Sequence, residues 1–166
     1  MKLYLMRHGL ALDLAEAGVT SDAERPLSPK GRKKTRQVAR GLAALEVAPG
    51  VVASSPLRRA QETADIVAEV LETRTDVCPA LAPGGDVKDL IEWLEELAED
   101  SVLAVGHMPD LAEMLSYLVS GDARARVEFK KAAVALVQFD GRPRVGAGML
   151  AWLLPPSVLR ALGEKA

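Results

Sequence analysis

Residues 2–9, Lys-Leu-Tyr-Leu-Met-Arg-His-Gly, place a short apolar run directly before an arginine, a histidine and a glycine. An apolar run of this length predicts a buried strand. The arrangement recurs at 102–107, where Val-Leu-Ala-Val leads into Gly-His, and at 51–59, where Val-Val-Ala leads into Ser-Ser-Pro-Leu-Arg-Arg. The carboxyl ends of parallel strands lie at one edge of a sheet, where ligands bind in α/β folds. We therefore expect these three polar segments to meet at that edge.

Helical patterns separate the predicted strands. Ser28-Pro29, Ser55-Pro56 and Pro109 are typical of helix starts, and apolar residues repeat at helical spacing over 87–98. Apolar strands that alternate with helices favour a three-layer α/β/α fold with a mostly parallel central sheet. The order of the strands does not follow from the sequence.

The remaining segments complete this prediction. A weaker strand pattern occupies 75–78, Pro79 to Gly85 read as a loop, and two late strands are predicted at 133–139 and 144–153, followed by a short carboxyl-terminal helix. Residues 9–27 lack a sustained period, so we expect a long loop with one helical turn. Whether this loop closes over a ligand stays open at this point.

Length and composition limit the class of protein. The 166 residues are 49% hydrophobic and 27% charged, which predicts one folded domain over residues 1–166. No apolar run reaches the roughly 20 residues of a membrane helix, and no signal peptide opens the chain, so we expect a cytoplasmic protein without a membrane partner. A monomer is the default for such a domain. The net charge of −2 argues against a nucleic-acid partner.

Cysteine and histidine are scarce. One cysteine, Cys78, excludes an internal disulfide framework, and with only two histidines, His8 and His107, a metal centre is not expected. We expect no cofactor. Both histidines nevertheless follow predicted strands, at the edge where ligands bind.

The expected ligand at this edge is an anion. Arg7 and one of Arg58 or Arg59 supply guanidinium groups that match phosphate geometry, and the adjacent helix starts direct free N–H groups to the same edge. A neutral imidazole beside phosphate is a nucleophile for covalent phosphoryl transfer. Guanidinium groups near His8 would keep it neutral by lowering its pKa, and His107 could donate a hydrogen bond to the same phosphoryl oxygens.

Other phosphate chemistries find no support in the sequence. There is no G-x-x-x-x-G-K-[ST] loop, and Gly84 rather than arginine stands six residues after Cys78. No Asp-x-Asp pair follows a predicted strand to serve as an aspartyl nucleophile and acid.

Four motifs, in order, resemble those of the histidine phosphatase superfamily. They are Leu5-Met6-Arg7-His8-Gly9, Arg25-Pro26-Leu27-Ser28-Pro29-Lys30-Gly31, Ser54 to Ala64, which matches S-S-x-x-x-R-A-x-x-T-A, and Val105-Gly106-His107. The resemblance spans residues 3 to about 110. It implies a phosphoglycerate-mutase-like fold and a metal-independent phosphatase.

The resemblance also implies roles for single residues. His8 is the nucleophile and becomes phosphohistidine, Arg7 and Arg59 hold the phosphoryl group, and His107 completes the pocket. Arg59 rather than Arg58 fits because the family arginine directly precedes alanine. Arg25 is implied as a supporting residue at the substrate site.

The short stretch after Thr75 is similar to that of the compact bacterial phosphohistidine phosphatases, a branch of this family. That branch often carries an acidic residue before Leu81, where this chain has Ala80, so no general acid is implied there. Three aspartates stay unranked as candidate acids: Asp13, Asp86 and Asp110.

A missing acid favours phosphohistidine as the substrate. Protonation of an alcohol leaving group contributes about 10²–10⁴-fold in rate. An imidazole leaves far more easily, because its conjugate acid has a pKa of about 6.5. The leading hypothesis is a phosphatase for phosphohistidine in a protein. Its alternatives are a small-molecule phosphomonoesterase of the same superfamily and a non-catalytic phosphate-binding module.

Overall fold

A computed structural model describes residues 1–164 and contains six strands and six helices. The strands are β1 (Lys2–Arg7), β2 (Val51–Ser54), β3 (Arg74–Val77), β4 (Ser101–Gly106), β5 (Val134–Gln138) and β6 (Met149–Leu154). The helices are α1 (Leu14–Ala17), α2 (Pro29–Ala44), α3 (Arg58–Leu71), α4 (Val87–Glu96), α5 (Asp110–Ser120) and α6 (Pro156–Gly163). Two 3₁₀ turns lie at Asp22–Glu24 and Pro79–Leu81.

The strands form one sheet in the order β3-β2-β4-β1-β5-β6. The pairs β2–β3, β2–β4 and β1–β4 are parallel, while β5 is antiparallel to both of its neighbours. Five strands therefore run in one direction, and the predicted mostly parallel sheet is confirmed. β2 is buried throughout, β1 is buried except at its two end residues and β4 except at its first, which reflects their position in the middle of the sheet.

Helices cover both faces of the sheet, so the predicted three-layer α/β/α architecture is confirmed. On one face, α4 and α5 bury side chains such as Leu90 and Leu115 against the sheet. On the other face, α2, α3 and α6 contribute Val38, Val67 and Leu159. Side chains alternate between the two faces along each strand, which is why neighbouring residues of β1 belong to different cores.

Three predicted boundaries shift in the structure. The helix expected at Ser55-Pro56 begins at Arg58, and α5 begins after Pro109 rather than at it. Ser55 does not cap α3, because its hydroxyl lies in the site described below. The last strand begins at Met149, since residues 144–148 form a turn beside β5.

The segment 9–27 holds more structure than a loop with one turn. It contains α1 and the 3₁₀ turn at Asp22–Glu24, and it is pinned by a bridge between Ala11 and Leu27. Ser28 then caps α2 as predicted, since its hydroxyl accepts a hydrogen bond from Gly31 N–H at 2.9 Å. Within residues 1–164, no helix has the length and apolar character needed to cross a membrane.

Candidate active site

The carboxyl ends of β1, β2 and β4 bring three polar residues together. Arg7 is paired with Gly106, and Ser54 with Val105, in the parallel register. The ladder continues one residue further, because His8 N–H donates to Gly106 O at 3.1 Å and Ser55 N–H donates to Val105 O at 3.0 Å. His8, Ser55 and His107 each lie one residue beyond the end of a strand, and their side chains are therefore neighbours. The ring centroids of His8 and His107 lie 5.1 Å apart.

His8 is held in one tautomer by the main-chain carbonyl of the next residue, Gly9. The ring is 8% exposed, and Nδ1 lies 2.7 Å from Gly9 O. A carbonyl only accepts, so Nδ1 carries the proton and Nε2 keeps its lone pair. Burial lowers the pKa of His8 to about 3, and the nearby charges of His107, Arg59 and Arg7 act in the same direction, while the bond to Gly9 opposes them. The imidazole is therefore neutral at pH 7, as predicted.

Gly9 leaves no room for a side chain. A Cβ at this position would lie 2.4 Å from Thr35 Oγ1 on α2. Gly9 N–H donates to Thr63 Oγ1 at 3.0 Å, and the Thr63 hydroxyl donates to Arg59 O at 2.6 Å. These two bonds join the segment that carries His8 to the helix that carries Arg59.

Arg7 extends from the end of β1 toward the segment before β5. Its Nη1 donates to Phe129 O at 2.8 Å, which fixes the guanidinium plane. Burial lowers the pKa of Arg7, with Glu128 opposing that shift. Among the described residues, its buried Nε has no hydrogen-bond partner. A buried donor of this kind costs about 1–3 kcal/mol until an acceptor binds it.

Arg59, on the first turn of α3, is 7% exposed. Both terminal nitrogens meet Asp22 of the 3₁₀ turn: Nη1 donates to the main-chain oxygen at 2.7 Å and Nη2 to Oδ2 at 2.9 Å. These bonds use two of the five N–H donors of the guanidinium and leave the others for an anion. The neighbouring Arg58 instead binds Glu62 at the surface, at 3.0 Å, so the choice of Arg59 over Arg58 agrees with the geometry.

Arg25 contacts the site through Asp22. Its Nη1 lies 2.9 Å from Asp22 Oδ1, and its Nε donates to Leu12 O at 2.7 Å. The bond from Arg25 is the main reason that the pKa of Asp22 lies below its usual value, and Arg59 adds to it. Sequence reasoning missed Asp22, because it lies in an irregular segment without a strand or helix period to place it. Its spacing of three residues before Arg25 is the one local signal.

His107 faces His8 from the end of β4. Its Nε2 lies 2.7 Å from Ser55 Oγ, and this hydroxyl also accepts from Leu57 N–H at 3.2 Å. The Ser55 hydroxyl has one proton and two lone pairs, so it can donate to Nε2 or accept from it. Burial is the main cause that lowers the pKa of His107 to about 4, with Arg59 next. The buried Nδ1 has no partner within residues 1–164.

The three aspartates left open as candidate acids are engaged elsewhere. Asp13 begins α1 as the first half of a capping box. Asp86 caps α4 and accepts from Lys88 N–H at 2.7 Å. Asp110 opens α5, and its Oδ1 accepts from Gly84 N–H at 3.1 Å. Of these, only Asp110 is near enough to raise the pKa of His107 by its charge.

One further cation lies near the site. Burial lowers the pKa of Lys131, and so do the charges of Arg7, Arg25 and Arg59. Sequence reasoning missed this residue, which lies in the irregular segment before β5. Within residues 1–164, no three His, Cys, Asp or Glu side chains are grouped so as to hold a metal ion. The donors gathered around His8 are cationic and match an anion.

Comparisons with known proteins identify the family of this chain. Residues 3–83 match the family model of the histidine phosphatase superfamily (branch 1). The chain is 32% identical to the phosphohistidine phosphatase SixA of Escherichia coli over 166 residues, which covers 96% of this chain and 97% of that protein. It is also 38% identical over 138 residues to an uncharacterised protein of Picosynechococcus, with 81% and 82% of the two chains covered.

A solved structure shares the whole fold. The protein histidine phosphatase SixA complexed with tungstate superposes with a TM-score of 0.81 at 32% identity, over 96% of this chain and 99% of that one. Full-length similarity at this identity, the family motifs and the shared fold together place the protein. The chain belongs to the histidine phosphatase superfamily.

Proposed function

We propose that this protein is a phosphatase that hydrolyses phosphohistidine in a protein, through a covalent phospho-His8 intermediate, and that residues 1–166 act as one catalytic domain. The observation that carries the proposal is the fixed tautomer of His8, whose Nδ1 proton is bound by Gly9 O and whose Nε2 is free to attack. The similarity to SixA along the full chain supports the substrate class.

In the first step, His8 Nε2 attacks the phosphorus of the substrate phosphohistidine. A bond forms between Nε2 and phosphorus while the P–N bond of the substrate breaks. The substrate imidazole leaves as a neutral ring when its other nitrogen is protonated, so no carboxylic acid is required. One P–N bond replaces another, which keeps the step near thermoneutral.

The phosphoryl oxygens take their hydrogen bonds from donors around His8. Arg7 Nε, the unpartnered donor described above, binds these oxygens together with the remaining N–H groups of Arg59, and His107 joins them in the tautomer that carries its proton on Nδ1. Arg25 supports Arg59 by holding Asp22 in place. In this arrangement Asp22 is a positioning residue rather than an acid, since its lowered pKa keeps it ionised.

In the second step, a water attacks the phosphorus of phospho-His8. The Nε2–P bond breaks, inorganic phosphate leaves, and the water protons pass to phosphate and solvent. The proton stays on Nδ1, hydrogen-bonded to Gly9 O. His8 therefore leaves as a neutral imidazole and returns to its starting state. Gly9 thereby serves both steps through one hydrogen bond.

A paired assay tests this function. The protein is offered a protein or peptide that bears phosphohistidine and, separately, p-nitrophenyl phosphate and a set of sugar phosphates. We expect a clear preference for the P–N substrate, because Asp13 and Asp86 cap helices and the Asp110 carboxylate accepts from Gly84 N–H. A preference for esters would support the phosphomonoesterase instead, and phosphate binding without turnover of any substrate would support a non-catalytic module.

A further inference from the structure

A second cationic pocket borders the nucleophile segment. It has a volume of about 160 Å³, and its walls include Gly9, the residue after His8. Three cations line it: Lys34 from α2, Lys131 from the segment before β5, and Arg160 from α6. We call it the Lys34–Lys131–Arg160 pocket. No acidic residue lines it.

The charges of this pocket have no counterions within the described chain. The salt bridges formed by residues 1–164 do not include Lys34, Lys131 or Arg160. Within this part of the chain, Arg160 donates a hydrogen bond only from Nε, to Pro156 O of its own helix at 3.2 Å. Three uncompensated cations that line one pocket repel one another, and an anion bound there would reduce that repulsion. This occurs in a chain whose net charge is −2.

Lys131 connects the pocket to the catalytic site. Its ammonium lies close enough to Arg7, Arg25 and Arg59 for their charges to lower its pKa. The turn that carries it is fixed against the nucleophile segment, because Ala132 N–H donates to Arg7 O at 3.0 Å and to His8 O at 3.2 Å. The pocket therefore adjoins the segment that carries His8.

We propose that the Lys34–Lys131–Arg160 pocket is an oxyanion subsite that binds a carboxylate of the phosphorylated protein, beside the phosphohistidine that His8 attacks. This inference rests on the proposed function for its substrate. The phosphoryl group itself is bound by Arg7, Arg59 and His107, so the pocket serves a second anion. Folded proteins display carboxylates on their surfaces, and Asp or Glu beside the phosphohistidine supplies one.

The first test is binding, and it does not depend on turnover. ¹⁵N-labelled protein is titrated with acetate as the carboxylate probe. We expect shifts of the Leu10, Gly31 and Lys131 amides, which line or adjoin the pocket. The shifts should be lost in the double variant Lys34→Gln/Arg160→Gln and kept in Lys33→Gln, an exposed cation on the same helix that is outside the pocket. Absence of pocket shifts in the wild type overturns the subsite.

The second test identifies the source of the carboxylate. Two phosphohistidine peptides differ only in Glu or Gln beside the phosphorylated residue. Wild type should prefer the Glu peptide by about tenfold in kcat/KM, the size typical of a charge-assisted hydrogen bond. The double variant should reduce this ratio toward one, and Lys33→Gln should keep it. Acetate binding without peptide discrimination means that a free anion uses the pocket, which overturns the proposal.

The two failures are distinguishable. If the wild type hydrolyses no P–N substrate, the proposed function is wrong, and the acetate titration still decides whether the pocket binds carboxylate. If the wild type hydrolyses both peptides equally, the function stands and the subsite is wrong as a substrate site. Amide spectra of each variant, recorded before titration, show whether its fold is intact.

Discussion

His8 and His107 are both buried, and the nearby carboxylates Asp110 and Asp22 only partly oppose the lowering of the His107 pKa. Burial is the first cause of the lowered pKa at both rings, and the guanidinium groups of the site add to it. The consequence is that each imidazole keeps a lone pair on one nitrogen and a proton on the other at neutral pH. Gly9 O accepts only and so places the His8 proton on Nδ1, whereas His107 pairs with the Ser55 hydroxyl, which both donates and accepts.

These pKa values predict the titration of the two rings. With values of about 3 and about 4, neither imidazole should titrate between pH 5 and pH 8, where an ordinary histidine gains its charge. The unfolded chain binds protons below pH 6.5 that the folded chain does not, so the free energy of unfolding should fall as the pH falls through that range. Ring Cε1–H shifts measured by NMR report the first effect, and urea unfolding at several pH values reports the second.

The matched control for this prediction is His8→Gln. This variant should lose less stability on acidification than the wild type. Only His107, and no longer His8, then takes up a proton on unfolding. A midpoint near pH 6.5 for either wild-type ring would contradict the burial account.

The hydrogen bond between Asp22 and Arg59 predicts an effect on activity. Asp22→Ala removes the bond to Arg59 Nη2, so the guanidinium loses part of its orientation, and we expect KM to rise by about tenfold, as for a lost charge-assisted bond. Asp22→Asn should recover part of this loss, since an amide oxygen still accepts. Arg25→Met should act in the same direction, because Arg25 holds Asp22 Oδ1. Steady-state kinetics on the P–N substrate measure all three variants.

Asp13→Ala is the control for Asp22, because it removes an aspartate of the same segment that caps α1. Equal kinetics for Asp22→Ala and Asp13→Ala would show that Asp22 does not position Arg59.

The sequence places the four central residues well and their supports poorly. Arg7, His8 and His107 lie at or just beyond strand ends, and Arg59 follows β2 closely, so a parallel sheet alone brings them to one edge. Asp22 and Lys131 lie in irregular segments, whose paths depend on tertiary contacts rather than on a local period. Ser55 resembles a helix cap, yet its hydroxyl binds His107, a contact with a residue 52 positions away.

The segment that follows β1 approaches α2 closely at Gly9. The missing side chain of Gly9 allows Thr35 of α2 to approach the nucleophile segment, and Thr35 is fully buried there. Thr63 of α3 binds the same glycine through its hydroxyl. The position of His8 therefore depends on how two helices pack against one strand end.

Gly9→Ala tests this packing. The added methyl would meet Thr35 Oγ1 at 2.4 Å, and overpacking of this kind costs about 1–3 kcal/mol in the free energy of unfolding. We expect lower stability and a large loss of activity. Combination with Thr35→Ala, which removes the clashing oxygen, should restore part of both in a double-mutant cycle. Chemical denaturation and P–N hydrolysis give the two readouts. Additive losses in the double variant would contradict the packing account.

Helix and strand patterns were sufficient for most elements but not for their ends. α4 and α2 agree with the predicted helices, because an apolar period and a capping residue are local signals. The predicted start of α3 at Ser55-Pro56 was wrong. The Ser55 hydroxyl binds His107 and accepts from Leu57 N–H, and the helix begins only at Arg58. The order of the strands and the antiparallel direction of β5 depend on tertiary contacts, which no local sequence pattern contains.

Taken as a unit, the chain has two cores that share one sheet. Trp93 of α4 packs against the core on one face, and Trp152 of β6 packs against the core on the other. The strands β1, β2 and β4 contribute side chains to both cores, so neither core is expected to survive without the other. The proposal of one domain over residues 1–166 depends on this coupling.

Single-tryptophan variants test whether the two cores unfold together. In Trp93→Phe, fluorescence reports the core around Trp152, and in Trp152→Phe it reports the core around Trp93. Within each variant, fluorescence and far-ultraviolet circular dichroism should give the same midpoint in urea, as one cooperative transition requires. Midpoints that differ between the two signals would show two separately unfolding parts.

The central claim is that phosphate passes through a covalent bond to His8. Rapid quenching during turnover of a phosphohistidine peptide, followed by mass spectrometry under alkaline conditions that preserve P–N bonds, measures it directly. We expect one phosphoryl group on the peptide that contains His8 in the wild type, and neither label nor phosphate release in His8→Ala. Full turnover by His8→Ala, or a label on another residue, would contradict the account.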